Sequence, residues 1–123
     1  MYGKKLLIAI LAAQAVVVTA WAHHSHGAYQ MSDYTEVDGT VTEVYWINPH
    51  VWFYLDVESA EGVMESWAME AAGATTLTRS GLSKDAVQPG DKIHVRCHPL
   101  RDGSNGCLLG YVTTEGGEEI EWD

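Results

Sequence analysis

Hydrophobic and polar positions alternate along most of the chain beyond residue 35, which is the pattern of half-buried β-strands. The clearest run is HVWFYLDVE at positions 50–58. One face of this run carries Val51, Phe53, Leu55 and Val57, and the opposite face carries His50, Trp52, Tyr54 and Asp56. Further β-rich runs at 36–47, 63–70, 91–98 and 106–114 raise the number of predicted strands to five.

One segment departs from this alternation and predicts a short helix. In GATTLTRSGL, residues 73–75 form the start region and Gly81 stands just beyond the end, where a helix commonly terminates in glycine. Three strands, a helix and two strands follow the order of an OB-type Greek-key barrel. An immunoglobulin-like sandwich would need about seven strands. We therefore expect a mainly β fold, a small five-stranded OB-like barrel with one short helix between strands three and four.

The second and third predicted strands define a candidate binding face. With a turn at 59–62, Tyr54 opposes Trp67 and Trp52 opposes Met69. The resulting outer face, joined by Trp46 at the end of strand one, would be an aromatic ligand or partner surface. Three alternatives stay open: the helix, the N-terminal arm or the C-terminal EIEWD covers this face. A register slip of one residue would also exchange the two faces.

The first 22 residues have the organisation of a cleaved secretory signal. Lys4 and Lys5 precede an apolar run at 6–20, and the triplet AWA ends it with the small residues that signal peptidase recognises. A membrane anchor is the alternative, but the run is shorter than the ~20 residues of a spanning helix. We predict a signal peptide at 1–22, a flexible His-rich arm at 23–35 and a single barrel domain at 36–123. Such a protein would be periplasmic or secreted, without a stable membrane span after cleavage.

Charge narrows the range of partners. The 123 residues contain 7 basic and 17 acidic side chains, for a net charge of −10. Removal of residues 1–22 takes away two lysines and no acid, which leaves −12. This balance excludes a phosphate-binding stripe, so nucleic acid is not an expected partner. It favours cations, although many carboxylates also serve solubility alone.

The two cysteines flank a turn rich in Pro, Asp, Gly, Ser and Asn. If the hairpin is centred near Asp102, Cys97 and Cys107 lie directly opposite each other, within reach of a disulfide after a small adjustment. An oxidising compartment favours that bond. We rank a metal site made of Cys97, His98 and Cys107 second.

Several motifs together carry a resemblance to a known family. They are AHHS at the predicted cleavage site, GTVTEVYWINPHVW, WAME, TLTRSGLSKDAVQPGD and RDGS. With these the chain resembles the secreted bacterial family catalogued as domain of unknown function 6152. The resemblance implies a small, exported, single-domain protein and carries over no catalytic residue. The chain departs from the family pattern in its cysteine pair and in His26, where phenylalanine is expected.

The histidines are the candidate chemical groups. Cleavage after Ala22 would expose the α-amine and Nδ1 of His23 as a chelate, and one further imidazole would complete a three-nitrogen set suited to Cu(II) or another transition metal. His50 is the preferred third ligand, with Met69 near it, and His24 and His26 are alternatives. Cleavage one residue earlier would make His24 the third residue, which is a different copper motif. A weakly binding His-rich tail is the simpler interpretation.

No catalytic motif is present. The chain lacks a Gly-x-Ser-x-Gly elbow, a His-Glu-x-x-His helix and a glycine-rich phosphate loop. We therefore expect a non-enzymatic binding protein of one of two kinds. One is a periplasmic copper-binding or transition-metal-binding module. The other is a module whose aromatic face, with Trp52, Tyr54 and Trp67, holds a small molecule, a peptide or a periplasmic partner protein.

Overall fold

The computed structural model describes residues 26–123, and the predicted signal peptide, His23 and His24 lie outside that range. Within residues 26–123, six strands and one α-helix follow one another. Their bounds are β1 Thr35–Tyr45, β2 Trp52–Glu58, β3 Met64–Glu70, α1 Ala74–Arg79, β4 Lys92–Pro99, β5 Gly106–Thr114 and β6 Glu119–Glu121. None of the helices between residues 26 and 123 has the length and apolarity needed to cross a membrane.

The first five strands form a closed barrel. The order in the sheet is β3-β2-β1-β4-β5-β6, and a parallel pairing of β3 with β5, from Ala68–Gly106 to Glu70–Leu108, closes it. The prediction of a mainly β, five-stranded barrel with one short helix between β3 and β4 is confirmed. The three-residue β6, which the sequence did not predict, extends the sheet beyond β5.

The alternation in β2 builds the barrel core as expected. Val51, Phe53 and Leu55 are fully buried, and Val57 packs against the core from a partly buried position. Burial of each such side chain contributes roughly 1.5–3 kcal/mol to folding. Among residues 26–123, the other fully buried large side chains of the core are Val41, Met69, Leu77, Val87, Val95, Leu109 and the two cysteines, Cys97 and Cys107.

The predicted pairing of β2 with β3 is wrong by one residue. Tyr54 faces Ala68, whereas Leu55 faces Trp67 and Phe53 faces Met69. The turn is shorter than expected, because Ser59 and Val63 hydrogen-bond across the hairpin and leave only residues 60–62 in the loop, where Gly62 adopts a left-handed φ of 78°. A three-residue loop with a left-handed last residue is a standard hairpin connection.

Helix α1 begins and ends where the sequence predicted. Gly73 is its N-cap residue and Gly81, with a φ of 99°, follows its end. Gly73 is also required sterically, since a Cβ there would lie 2.4 Å from the carbonyl oxygen of Pro49. The side chain of Asn48 bonds the helix start, accepting from the Thr75 amide at 3.1 Å and donating to its hydroxyl at 3.0 Å.

The C-terminal segment covers one end of the barrel. Trp122 is buried and meets Phe53 and Trp46 edge-on, with ring centroids 5.7 Å and 6.3 Å apart. Its amide donates to Gly110 and its carbonyl accepts from Ala72. Trp122 of the C-terminal EIEWD therefore packs on Trp46, one of the residues that the sequence assigned to the aromatic face.

The described part of the predicted arm, residues 26–34, packs on the β4–β5 hairpin. Tyr29 forms a β-bridge with Leu100, and the Gln30 amide donates to Pro99 at 2.8 Å. The Arg101 amide donates to Ala28 at 2.9 Å, so this stretch lies along the hairpin as an additional extended segment.

The predicted disulfide between Cys97 and Cys107 is confirmed, and it removes both sulfurs from the alternative metal site. The two residues are not directly opposite, however. Cys97 pairs with Leu109 and Cys107 with Pro99, so the bond joins diagonal positions with Cα atoms 5.5 Å apart. Both cysteines are fully buried inside the barrel, beneath the hairpin that holds the arm.

Replacing both cysteines by alanine should lower the free energy of unfolding by about 2–3 kcal/mol, because the bond closes a short loop in the unfolded chain. Urea denaturation of the double variant and the wild type measures this difference. An unchanged midpoint, or two reactive thiols in unfolded and unreduced wild-type protein, would contradict the assignment.

Candidate functional site

His50 stands at the end of a loop that the fold holds at both sides. The loop leaves β1, passes through a cis Asn48–Pro49 peptide bond and enters β2. The Ala74 amide donates to the carbonyl of Ile47, and the Val51 amide donates to Ala72. These bonds join the residues on either side of His50 to the start of α1, so the imidazole has a defined position.

A buried carboxylate links His50 to the N-terminal segment. One oxygen of Glu70 faces Nδ1 of His50, and the other accepts a hydrogen bond from the hydroxyl of Tyr29. Glu70 is only 8% exposed and Tyr29 only 5%, while the His50 side chain is 33% exposed. We call this arrangement the Tyr29–Glu70–His50 triad.

The triad determines which nitrogen of His50 is available. A carboxylate only accepts hydrogen bonds, so the ring nitrogen that faces Glu70 carries the proton. In the neutral imidazole this leaves the lone pair on Nε2, and no group among residues 26–123 hydrogen-bonds to that atom. A metal-binding histidine commonly has the same arrangement, with its second nitrogen donating to a carboxylate that orients the ring.

Tyr29 is the anchor of the N-terminal segment. Its carbonyl accepts from Nε of Arg101 at 3.0 Å, and its ring is buried over the hairpin. Burial, the hydrogen bond to Glu70 and the negative charge of Glu70 together raise the pKa of Tyr29 well above its ordinary value. The hydroxyl therefore stays protonated and remains a donor to Glu70 throughout the neutral range.

The other described histidines differ from His50. Nδ1 of His94 lies 2.8 Å from Asp38, but that carboxylate is 84% exposed. His98 is buried, donates from Nδ1 to the carbonyl of Asp33 and stacks on Tyr34 at 4.2 Å, which is a structural role. His26 is exposed three residues before Tyr29. His23 and His24 lie outside the described residues.

The barrel by itself supplies few metal ligands. Between residues 26 and 123, no group of three or more His, Cys, Asp or Glu side chains is arranged to hold a metal ion. Met69 does not fit the ligand set that the sequence predicted, because it is fully buried in the core opposite Phe53. His50 is therefore not part of a preformed three-ligand metal site within the described residues.

The predicted aromatic face is divided by the corrected register. Trp67 lies on the core side of β3, partly buried, and its indole N–H has no acceptor within the described residues. Trp46 packs against the core and Trp122. Trp52 and Tyr54 remain on the outer face. Together with Tyr45 of β1 and Ile47 of the following loop, they line an open cavity of about 300 Å³. We call this cavity, lined by Tyr45, Ile47, Trp52 and Tyr54, the aromatic cleft.

The aromatic cleft and the triad are neighbours on one side of the barrel. Tyr45 pairs with Trp52 across β1 and β2, and Trp52 pairs with Glu70 across β2 and β3. Direct partners in an antiparallel pair project from the same face, with Cβ atoms about 4.5–5.5 Å apart. Glu70, which Tyr29 and His50 bury, therefore projects from the same face as Trp52, and the two candidate sites are adjacent.

Sequence reasoning missed four residues of these sites. Tyr45 and Ile47 had been counted only as strand residues, but both side chains are exposed. Glu70 was the last letter of WAME with no assigned role, and Tyr29 lay in the supposed flexible arm. The one available signal was that Glu70 lies between Trp67-Ala68-Met69 and Ala71-Ala72, because a charge in such an apolar stretch needs a partner.

The fold and the site together define a class of protein. It is a small β-barrel with an oriented surface histidine beside an aromatic cleft. Residues 10–109 match the model of the family of unknown function DUF6152, and the chain belongs to that family. A search of curated proteins found no match.

Tyr29→Phe should lower the free energy of unfolding by about 1.5–3 kcal/mol, because the variant keeps the ring but removes a buried hydrogen bond to a carboxylate. Tyr45→Phe is the matched control, since Tyr45 also donates to a carboxylate, that of Glu43, but at the surface. Its effect should stay within about 0.5 kcal/mol. Urea denaturation measures both, and equal losses would contradict the special position of Tyr29.

Stability at alkaline pH should report on Tyr29. Its pKa is raised on folding, so its contribution is complete below the ordinary tyrosine value of 10.0 and is lost as pH rises toward the folded-state value. The free energy of unfolding, measured from about pH 8 to about pH 11.5, should fall more steeply in wild type than in Tyr29→Phe. Parallel curves would show that Tyr29 is not protected from ionisation.

Proposed function

We propose that this protein is an exported, non-enzymatic binding protein that takes up Cu(II) or a similar transition metal at His50. The observation that supports this most is the Tyr29–Glu70–His50 triad. It holds the imidazole by Nδ1 and presents Nε2, which is the atom a metal would bind.

The remaining ligands would come from the N-terminal histidines. Tyr29 fixes the chain beside Glu70, and the six residues from there back to His23 reach at most about 22 Å when fully extended. Cleavage after Ala22 would then allow the α-amine and Nδ1 of His23 to join Nε2 of His50 on one ion. Three nitrogen ligands of this kind suit Cu(II), and His24 and His26 are alternative donors.

The acidic surface is compatible with this role. A net charge of −10 for the chain, or −12 after loss of residues 1–22, raises the local concentration of cations around the protein. Exposed carboxylates alone bind Cu(II) weakly, so the proposal depends on the imidazoles rather than on net charge.

The test is a competitive Cu(II) titration against a chelator of known strength, on exported protein whose N-terminus is identified by mass spectrometry as His23. His23→Ala and His50→Gln should each weaken binding by orders of magnitude, since each removes one arm of a chelate. Glu70→Gln should lower the Cu(II) affinity about 10- to 100-fold, because the imidazole of His50 loses its orienting carboxylate.

His94→Gln is the matched control for this titration. It also removes an imidazole that faces a carboxylate, but on β4 and at an exposed acid. The Cu(II) affinity of His94→Gln should equal that of wild type. Equal Cu(II) affinity in wild type, His23→Ala and His50→Gln would refute the metal proposal.

A second candidate function is the binding of an organic ligand in the aromatic cleft. The observation that favours it is the cavity itself, since about 300 Å³ lies at the lower end of the usual size for small-molecule sites, roughly 300–1,000 Å³. The surface of an OB-type barrel in this region is a common binding face. Trp52→Ala should damage ligand binding there and leave Cu(II) affinity unchanged, which separates the two functions.

A further inference from the structure

Two rings of the aromatic cleft, those of Tyr45 and Tyr54, meet edge to face. The planes of Tyr45 and Tyr54 meet at 87°, with their centroids 6.0 Å apart. Trp52, the direct partner of Tyr45, and the exposed side chain of Ile47 complete the lining. A guest in this cavity would therefore meet aromatic surface from more than one direction.

The charges around the aromatic cleft are negative. Glu43 is the direct partner of Tyr54 and accepts a hydrogen bond from the hydroxyl of Tyr45. Glu70, the partner of Trp52, lies on the same face. No lysine or arginine is among the lining residues. The surroundings thus favour a positive guest.

The hydrogen bond from Tyr45 to Glu43 strengthens this preference. It raises the pKa of Tyr45, chiefly because the hydroxyl donates to the carboxylate, so the ring remains a neutral phenol. Donation of the hydroxyl proton toward an anion also increases the electron density of the ring. The faces of electron-rich aromatic rings attract cations.

We propose that the aromatic cleft binds a small quaternary ammonium, an organic cation that carries a trimethylammonium group. This inference rests on the second candidate function and names its ligand class. Primary ammonium and guanidinium groups carry N–H donors that need acceptors once they leave water. One oxygen of Glu43 holds the hydroxyl of Tyr45, and a quaternary ammonium has no N–H donors and needs only the ring faces and the negative surroundings.

The test compares choline with its neutral isostere, 3,3-dimethylbutan-1-ol, by isothermal titration of protein kept metal-free with a chelator. Choline should bind about tenfold more tightly than the isostere, because only the cation gains from the rings. Trp52→Leu should reduce choline affinity by at least about tenfold. Ile120→Ala, which removes an exposed apolar side chain on β6, should change nothing.

The outcomes separate this inference from the second candidate function. Equal binding of choline and the isostere, both lost in Trp52→Leu, would overturn the cation assignment and leave an apolar binding site. Equal binding of choline and ethanolamine, its primary-amine counterpart, would overturn the quaternary preference. Absence of binding by both ligands at millimolar concentration would overturn this inference and the second candidate together. Circular dichroism of Trp52→Leu establishes that the variant is folded.

Discussion

The carboxylate of Glu70 is the group on which the candidate sites depend. It lies at the end of β3, almost without solvent, and a buried carboxylate is costly unless its oxygens are hydrogen-bonded. Its two donors come from different segments, Tyr29 from the N-terminal stretch and His50 from the loop between β1 and β2. One acceptor therefore fixes the path of the N-terminal segment and the orientation of the imidazole. The burial of Glu70 and the availability of Nε2 have the same cause.

This arrangement places two candidate sites side by side. Trp52 is the cross-strand partner of both Tyr45 and Glu70, so the aromatic cleft lies next to the triad. An ion on His50 would add positive charge next to a cleft whose surroundings are negative. Occupation of one proposed site would then change the affinity of the other for a charged ligand, and such a coupling would be equal in both directions. A neutral ligand in the aromatic cleft would be largely insensitive to the metal.

The fold could be predicted from the sequence because its signals are local. The period of two in β2 sets the buried residues Phe53 and Leu55, and the glycines at 73 and 81 bracket the helix. The cysteine pair could be assigned because it flanks a turn, even though its residues are diagonal rather than opposite. Trp52 and Tyr54 followed from the same alternation.

What the tertiary structure alone decided concerns contacts between distant segments. The register of β3 depended on whether the turn begins at residue 59 or at residue 60, and one residue moved Trp67 and Met69 from the outer face to the core side. The partners of Glu70 are 20 and 41 positions away in the chain, and no pattern links them. A sequence determines which residues must be buried, because hydrophobic periodicity is a local property. It does not display which donor reaches a buried carboxylate, because that depends on how the closed barrel brings remote segments together.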